Sequence, residues 1–294
     1  MSSLHHLQKL INHKIGITIW LVTLLMILAF RGPSSKEFFS NSSDMMDTCP
    51  IENKAFQHGE EMIYKVFYNW GFVWIPAGEV TFSVEESTQD FHLSVVGETY
   101  KSYDWFFKVR DYYDTWIDKK TLLPNVSIRD VTEGGYTLYD KNQFDQEANT
   151  VVNLRGRRLE TIKENNFFQI ENCMHDMLSI VYWARNLSFE NYQQGQKISV
   201  KIFADKKTWA LSVKYLGEEK GHKVRGLGGF NTLKFSPEVI EGTVFPKNAQ
   251  VNVWVSDDQN RVPLVIESPL SIGSAKAILK SYKGLRYDFS AKMD

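Results

Sequence analysis

Gly78-Glu79-Val80-Thr81-Phe82-Ser83-Val84-Glu85-Glu86, residues 78–86, alternates apolar and polar side chains along its length. Val80, Phe82 and Val84 fall on one face; Glu79, Thr81, Ser83 and Glu85 fall on the other. Successive side chains of a strand point to opposite faces, so the run reads as a half-buried β-strand. The same period of two recurs from Glu60 onward, with turns about every ten residues. It predicts strands over 61–70, 91–98, 108–117, 125–131, 136–144, 151–154, 197–204, 209–216, 230–235, 250–255, 262–267 and 272–282. "DKKT", "EGG", "DQEAN" and "RGRR" supply the turn residues between them. "GFVWIPAG" reads as the link between the first two strands, because Pro76 cannot donate to a ladder.

One segment breaks this rhythm. In "FQIENCMHDMLSIVYWARNL", Met177, Leu178, Ile180, Val181 and Ala184 recur at helical spacing and Asn172 can act as the cap. The spacing predicts one substantial helix at about 174–186. Many strands with one helix imply a mainly β fold: a large antiparallel curved sheet or an incomplete β-barrel, in a single domain over 51–288.

The N-terminus is different material. Lys9 and Lys14 precede the apolar run "IGITIWLVTLLMILAF" at 15–30. Residues 1–31 therefore read as a signal peptide or a signal-anchor, with the rest of the chain on the outer side of the membrane. A helix of 16 residues spans about 24 Å, short of the ~30 Å hydrocarbon core, and Lys14 and Arg31 can snorkel to bridge the deficit. Residues 32–50 are rich in Ser and Asn, lack periodicity, and read as a tether. Lipidation of Cys49 is rejected, since it lies 19 residues past Phe30 without a small-residue box before it.

Hydrophobic residues at 43% of the 294 allow a core of normal size. A formal net charge of −1, with Lys and Arg scattered, excludes a basic stripe for a phosphate backbone, so no nucleic-acid partner is expected.

Several runs resemble domain-of-unknown-function family 3108, a family of exported bacterial proteins, in the form typical of Bacteroidetes-like members. They are "FQHGEEMIYKVFYNWGFVWIPAGEVTF", "KVRDYYDTWID", "EGGY", the "NCMHDMLSIVYWARNL" segment and "VWVSDDQNRVPLVIESPLSIGSAKAILKSYKGL", together covering roughly residues 55 to 286. The resemblance implies an envelope location and a mostly β fold. It implies no reaction.

Cys173-Met174-His175-Asp176 has the parts of a nucleophilic site, but a structural reading outweighs it. The chain has two cysteines, Cys49 and Cys173, and in an exported chain such a pair reads as a disulfide. On a helix, His175 would point about 200° from Cys173, at ~100° per residue. Asp176 reads as a first-turn acid favoured by the helix dipole. His58, His92, His175 and His222 show no metal-ligand spacing, so neither metal nor cofactor is expected. Asp257, Asp258 and Asn260 read as a solvated hairpin, and "RGLGGFN" as a glycine-rich turn. Glu60, Glu61, Asp111 and Glu133 are the carboxylates that an acid–base pair would draw on.

The early strands carry aromatics on both faces, and a sheet with one wet face should not. Tyr64, Tyr68, Trp70, Trp74, Tyr103 and Trp105 are therefore candidate ligand-binding residues, the alternative being a sheet that closes on itself with these rings filling its interior. The leading functional reading is an envelope, periplasmic-side β-domain that binds an apolar or amphiphilic small molecule or an envelope protein without catalysis. The alternatives are a hydrolase of envelope glycan or lipid, and an assembly or export scaffold. If the N-terminal segment is uncleaved, it adds a membrane anchor.

Overall fold

The computed structural model describes residues 51–70, 73–105, 107–239, 246, 249–271 and 273–294. The predicted signal segment, the tether and Cys49 lie outside the described residues.

The first meander holds β1 (Glu61–Trp70), β2 (Val73–Glu86), β3 (Asp90–Thr99), β4 (Val109–Asp118), β5 (Pro124–Glu133), β6 (Tyr136–Asp145), β7 (Thr150–Gly156) and β8 (Ile162–Gln169). Among the described residues one α-helix, α1 (Ser179–Ala184), follows. The second meander holds β9 (Lys197–Ala204), β10 (Lys207–Val224), β11 (Gly228–Pro237), β12 (Asn252–Ser256), β13 (Pro263–Pro269) and β14 (Ser274–Lys283). All pair antiparallel in one sheet, ordered β8-β7-β6-β5-β4-β3-β2-β1-β14-β13-β12-β11-β10-β9. β1 pairs with β14, so the two meanders join where the ends of the strand series meet, and β8 and β9 remain as edges. The sheet is an incomplete barrel, as the alternation predicts.

Residues 78–86 lie in β2 with the predicted faces. Val80, Phe82 and Val84 are buried, and Tyr64, Met62, Leu93 and Val95 meet them across the ladder. The close approach of β3 requires the glycine at 78, where a Cβ would lie 2.2 Å from the Glu98 carbonyl oxygen. Pro76 is not in a link; it lies inside β2 opposite Phe67, next to a register shift at Val66/Phe67. Such an irregularity tolerates the missing N–H.

Two elements depart further from expectation. β8 was not predicted, because "IKENNFFQ" is an edge strand with no fully buried residue and shows no apolar face. The helix is shorter than 174–186. Cys173 has φ +59, and His175 forms a parallel bridge to Ile202 of β9. The His175 N–H donates to Lys201 O at 3.1 Å and its carbonyl accepts from Phe203 N–H at 2.8 Å. Part of the open β9 edge is satisfied this way, at the expense of about one and a half helical turns over 174–178. Packing also runs past residue 288: the Met293 N–H donates to Gly229 O at 2.8 Å, and Ala291 is buried.

The β8/β9 gap is bridged by side chains. Lys206 reaches Glu164 of β8 at 2.8 Å, and Phe203 packs against Phe168 with centroids 5.3 Å apart.

Candidate functional site

Asp176 starts α1. Its carboxylate accepts from the N–H groups of Leu178 at 3.2 Å and Ser179 at 2.9 Å, and from the Thr115 hydroxyl of β4 at 2.8 Å. Asn172, the expected cap, is not at the helix start. Tyr182 faces the core edge-to-face with Phe56, centroids 4.9 Å apart, while Ile180, Val181, Trp183 and Ala184 are half-buried. At the helix end, Arg185 is buried against Glu60, with Nη1–Oε1 2.6 Å and Nη2–Oε2 2.8 Å. It also donates to Asn260 O, at 3.1 Å from Nε and 2.9 Å from Nη2. Burial works against the guanidinium charge, but Glu60 outweighs it and raises the Arg185 pKa.

This anchoring stands α1 off the strands beneath it. Ile198, Val200 and Ile202 of β9 face Val213, Leu211 and Trp209 across the ladder, as period two requires. Phe235 of β11 and Val253 and Val255 of β12 continue the wall, and the face of α1 bearing Ile180, Val181, Trp183 and Ala184 closes the other side. Between them is a cavity of about 230 Å³. Three charged residues reach its lining, each with a counter-charge: Arg185 with Glu60, Arg261 with Asp257 at 3.1 Å, and Glu238 with Lys197 at 3.0 Å.

The other side of the interior is polar. Register places two rows of polar residues across β4–β7: Thr115, Ser127, Asn142 and Asn153, then Tyr113, Arg129, Asp140 and Arg155. Asn142 donates to the Ser127 hydroxyl at 3.3 Å, and Asn153 donates to Asn142 at 2.8 Å and to Asp140 at 2.6 Å. Arg129 pairs with Asp140 and, at 2.7 Å, with Asp205 from the β9–β10 hairpin, which also contacts Arg155 at 3.3 Å. Burial raises the Asp205 pKa, but the two guanidinium groups overcome it and hold that carboxyl below its ordinary value.

Of the four sequence-candidate carboxylates, only Asp111 and Glu133 meet. Burial, then the adjacent Asp111 charge and a hydrogen bond to it, push the Glu133 pKa up to about 11. Glu133 therefore carries a proton at neutral pH. The pair is 0% and 4% exposed, so no substrate reaches it. Glu60 serves Arg185, and Glu61 pairs with Lys283 at 3.1 Å. His175 accepts or donates at Nδ1 to the Ser179 hydroxyl, 3.1 Å away, and burial lowers its pKa to about 3. Neither His175 nor Ser179 lines the cavity, and both are buried. Among the described residues no cysteine is free, and no group of three or more His, Cys, Asp or Glu could hold a metal ion.

The structure does not gather the six aromatic candidates. Tyr64 is buried in the core, its hydroxyl donating to Pro263 O at 2.8 Å, and Tyr68 is buried. Trp70 ends β1 opposite Val73. Trp74 lies under Lys276, whose Nζ is 5.0 Å from the ring centroid. Tyr103 is half-buried in a short 3-10 turn, and Trp105 is 83% exposed. Of the five other than Trp70, none lines the cavity. Its wall comes instead from the alternating β-branched runs of β9 and β12, whose period signals a strand but not an empty volume. The Asp257–Asn260 loop is also less solvated than expected. Asp258 accepts from the N–H groups of Asn260 and Arg261, at 3.1 and 3.2 Å, and Asn260 is fully buried.

Among solved structures, a β-barrel-like protein of domain of unknown function DUF1849 from Brucella abortus aligns with a TM-score of 0.53 and 11% identity, over 80% of this chain and 100% of that one. It shares the fold. A protein from Parabacteroides distasonis, titled as a lipoprotein candidate, aligns at TM-score 0.29 and 13% identity over 79% of this chain and 99% of that one. An exported-protein candidate with a YmcC-like fold from Bacteroides fragilis aligns at 0.26 and 10% identity, over 79% and 99%. These two lower scores support no structural argument. No curated protein matches the sequence. The family described as "Protein of unknown function (DUF3108)" matches residues 63–280, most of the strand-bearing chain, and to that family this protein belongs.

Proposed function

We propose that this protein is an exported, envelope-side β-domain that binds an apolar or amphiphilic ligand in the cavity between α1 and β9–β13, without catalysis. The observation that carries the reading is the cavity itself: about 230 Å³, walled almost wholly by aliphatic and aromatic side chains. Sites for small molecules are concave and mostly apolar, with few polar groups, and the lining has that composition. Export is supported by the apolar run at 15–30 behind Lys9 and Lys14. It is also supported by the absence of a free thiol at Cys173 in a chain with one other cysteine, Cys49; thiols pair in oxidising compartments.

A naphthalene sulfonate probe tests the reading. Saturable binding at one site per chain, competed by an envelope lipid extract and removed by Val200→Trp, is the expected result. A cooperatively folded wild type that leaves the probe dark refutes it.

A further inference from the structure

We infer that the part of the ligand inside the cavity is one uncharged alkyl chain of roughly nine carbons, with its head group left outside. The inference rests on the binding role proposed above and adds the class and length of what is bound. Three observations converge on it. The first is size. An apolar cavity of about 150 Å³ takes a six-carbon ring, so 230 Å³ takes roughly nine carbons on the same scale.

The second is shape. The wall is drawn from β9, β10, β11, β12 and β13 in succession, and four inter-strand spacings of about 4.8 Å extend it roughly 19 Å. A lining spread over five neighbouring strands suits a flexible chain, which can follow the wall, better than a compact ring system. The third is charge. Arg185, Arg261 and Glu238 each already face a protein counter-charge, Glu60, Asp257 and Lys197. An ionised group drawn inside would find no partner and would lose its hydration uncompensated. The charged or polar end of the molecule therefore stays in water.

A homologous series of 1-alkylglycerols from six to fourteen carbons, titrated calorimetrically into the full-length protein below their micellar concentrations, reads the length directly. Each added methylene should tighten binding about fourfold until roughly nine carbons are housed, and further carbons should add little. Ala184, on the cavity face of α1, sets one wall: Ala184→Phe should move the break to shorter chains. Val200→Ala, on the facing strand, should move it to longer ones and serves if the bulkier variant does not fold. Affinity that climbs without a break to fourteen carbons, or a break that neither variant moves, overturns the inference. So does saturable naphthalene sulfonate binding that no alkylglycerol displaces, and in that case the binding role stands. If neither the probe nor any homologue binds the folded protein, the binding role falls and the inference with it.

Discussion

β4–β7 and β9–β12 line the same interior with opposite chemistry. The first set presents Thr115, Ser127, Arg129, Asp140, Asn142 and Asn153, all buried. The second presents Ile198, Val200, Ile202, Leu211, Val213 and Val253 around a cavity. The polar side is nearly closed, with about 10 Å³ left beside Thr115, Ser127 and Asn142, because its groups draw one another together. Cross-strand neighbours lie directly opposite in the register, and Asp205 and Asp176 arrive from outside the four strands to complete the network. The aliphatic side has no such directional pull. Its walls can be held apart by α1, which Arg185 and Asp176 fix at its two ends. Polar complementarity closes one half, and rigid propping keeps the other open.

The largest expected effect tests the closed half. Arg129→Met removes the nearer of the two guanidinium groups facing buried Asp140, leaving Arg155 at 3.6 Å, and should destabilise the fold by about 3 kcal/mol in chemical denaturation. Probe affinity, measured below the unfolding transition, should stay within about twofold. A parallel collapse of affinity would mean that the two halves are not separate devices.

Next in size is the proposed link between Cys49 and Cys173, which ties the segment before β1 to the strap before α1. Cys173→Ser should cost about 2–5 kcal/mol. Thiol labelling of the denatured, unreduced wild type should find nothing, and two reactive thiols would remove the link from the account.

The third effect is one of pH. Folded Glu133 holds its proton up to about pH 11, against an ordinary value of 4.5. Between those values the unfolded chain binds fewer protons than the folded one, so stability falls as pH rises. The contribution is complete below the unfolded value and is lost progressively toward pH 11. One proton corresponds to a slope of about 1.4 kcal/mol per pH unit. Glu133→Gln should flatten that slope between pH 6 and 9 (a window inside the two values), and an unchanged slope would assign the pH response elsewhere.

The smallest effect tests the open half. Overpacking a filled core costs about 1–3 kcal/mol, whereas Val200→Trp grows into existing space and should cost about 1 kcal/mol or less. A much larger loss, seen in thermal unfolding, would show that the cavity has no room for the ring.

The strands of this protein were largely legible in its sequence. Residues 78–86 display their two faces because one face meets core and the other meets water. β8 was not legible, since an exposed edge strand has no apolar face to display. On β5 the alternation was visible but misleading: Val126 and Ile128 are the apolar set, yet Ser127 and Arg129 on the other face are the buried ones. A two-residue period identifies a strand, and partners decide which face turns inward. The aromatic runs drew attention to Tyr64 and Trp105, which proved to be core and surface, while the cavity lay under the plainer pattern of Ile198, Val200 and Ile202.

The sequence by itself determined the strand period, a helical segment near residue 180 and the pair of cysteines at 49 and 173, because these are read from residue types and their spacing along the chain. Tertiary structure alone decided that β1 pairs with β14, that α1 begins at Ser179 rather than near 174, and that Asp111 meets Glu133. Each of these rests on partners brought from far along the chain: Glu60 and Asn260 on Arg185, Thr115 on Asp176, Lys201 and Phe203 on His175. An empty volume is the extreme case, since no residue encodes it; it exists only where several distant elements are held from touching.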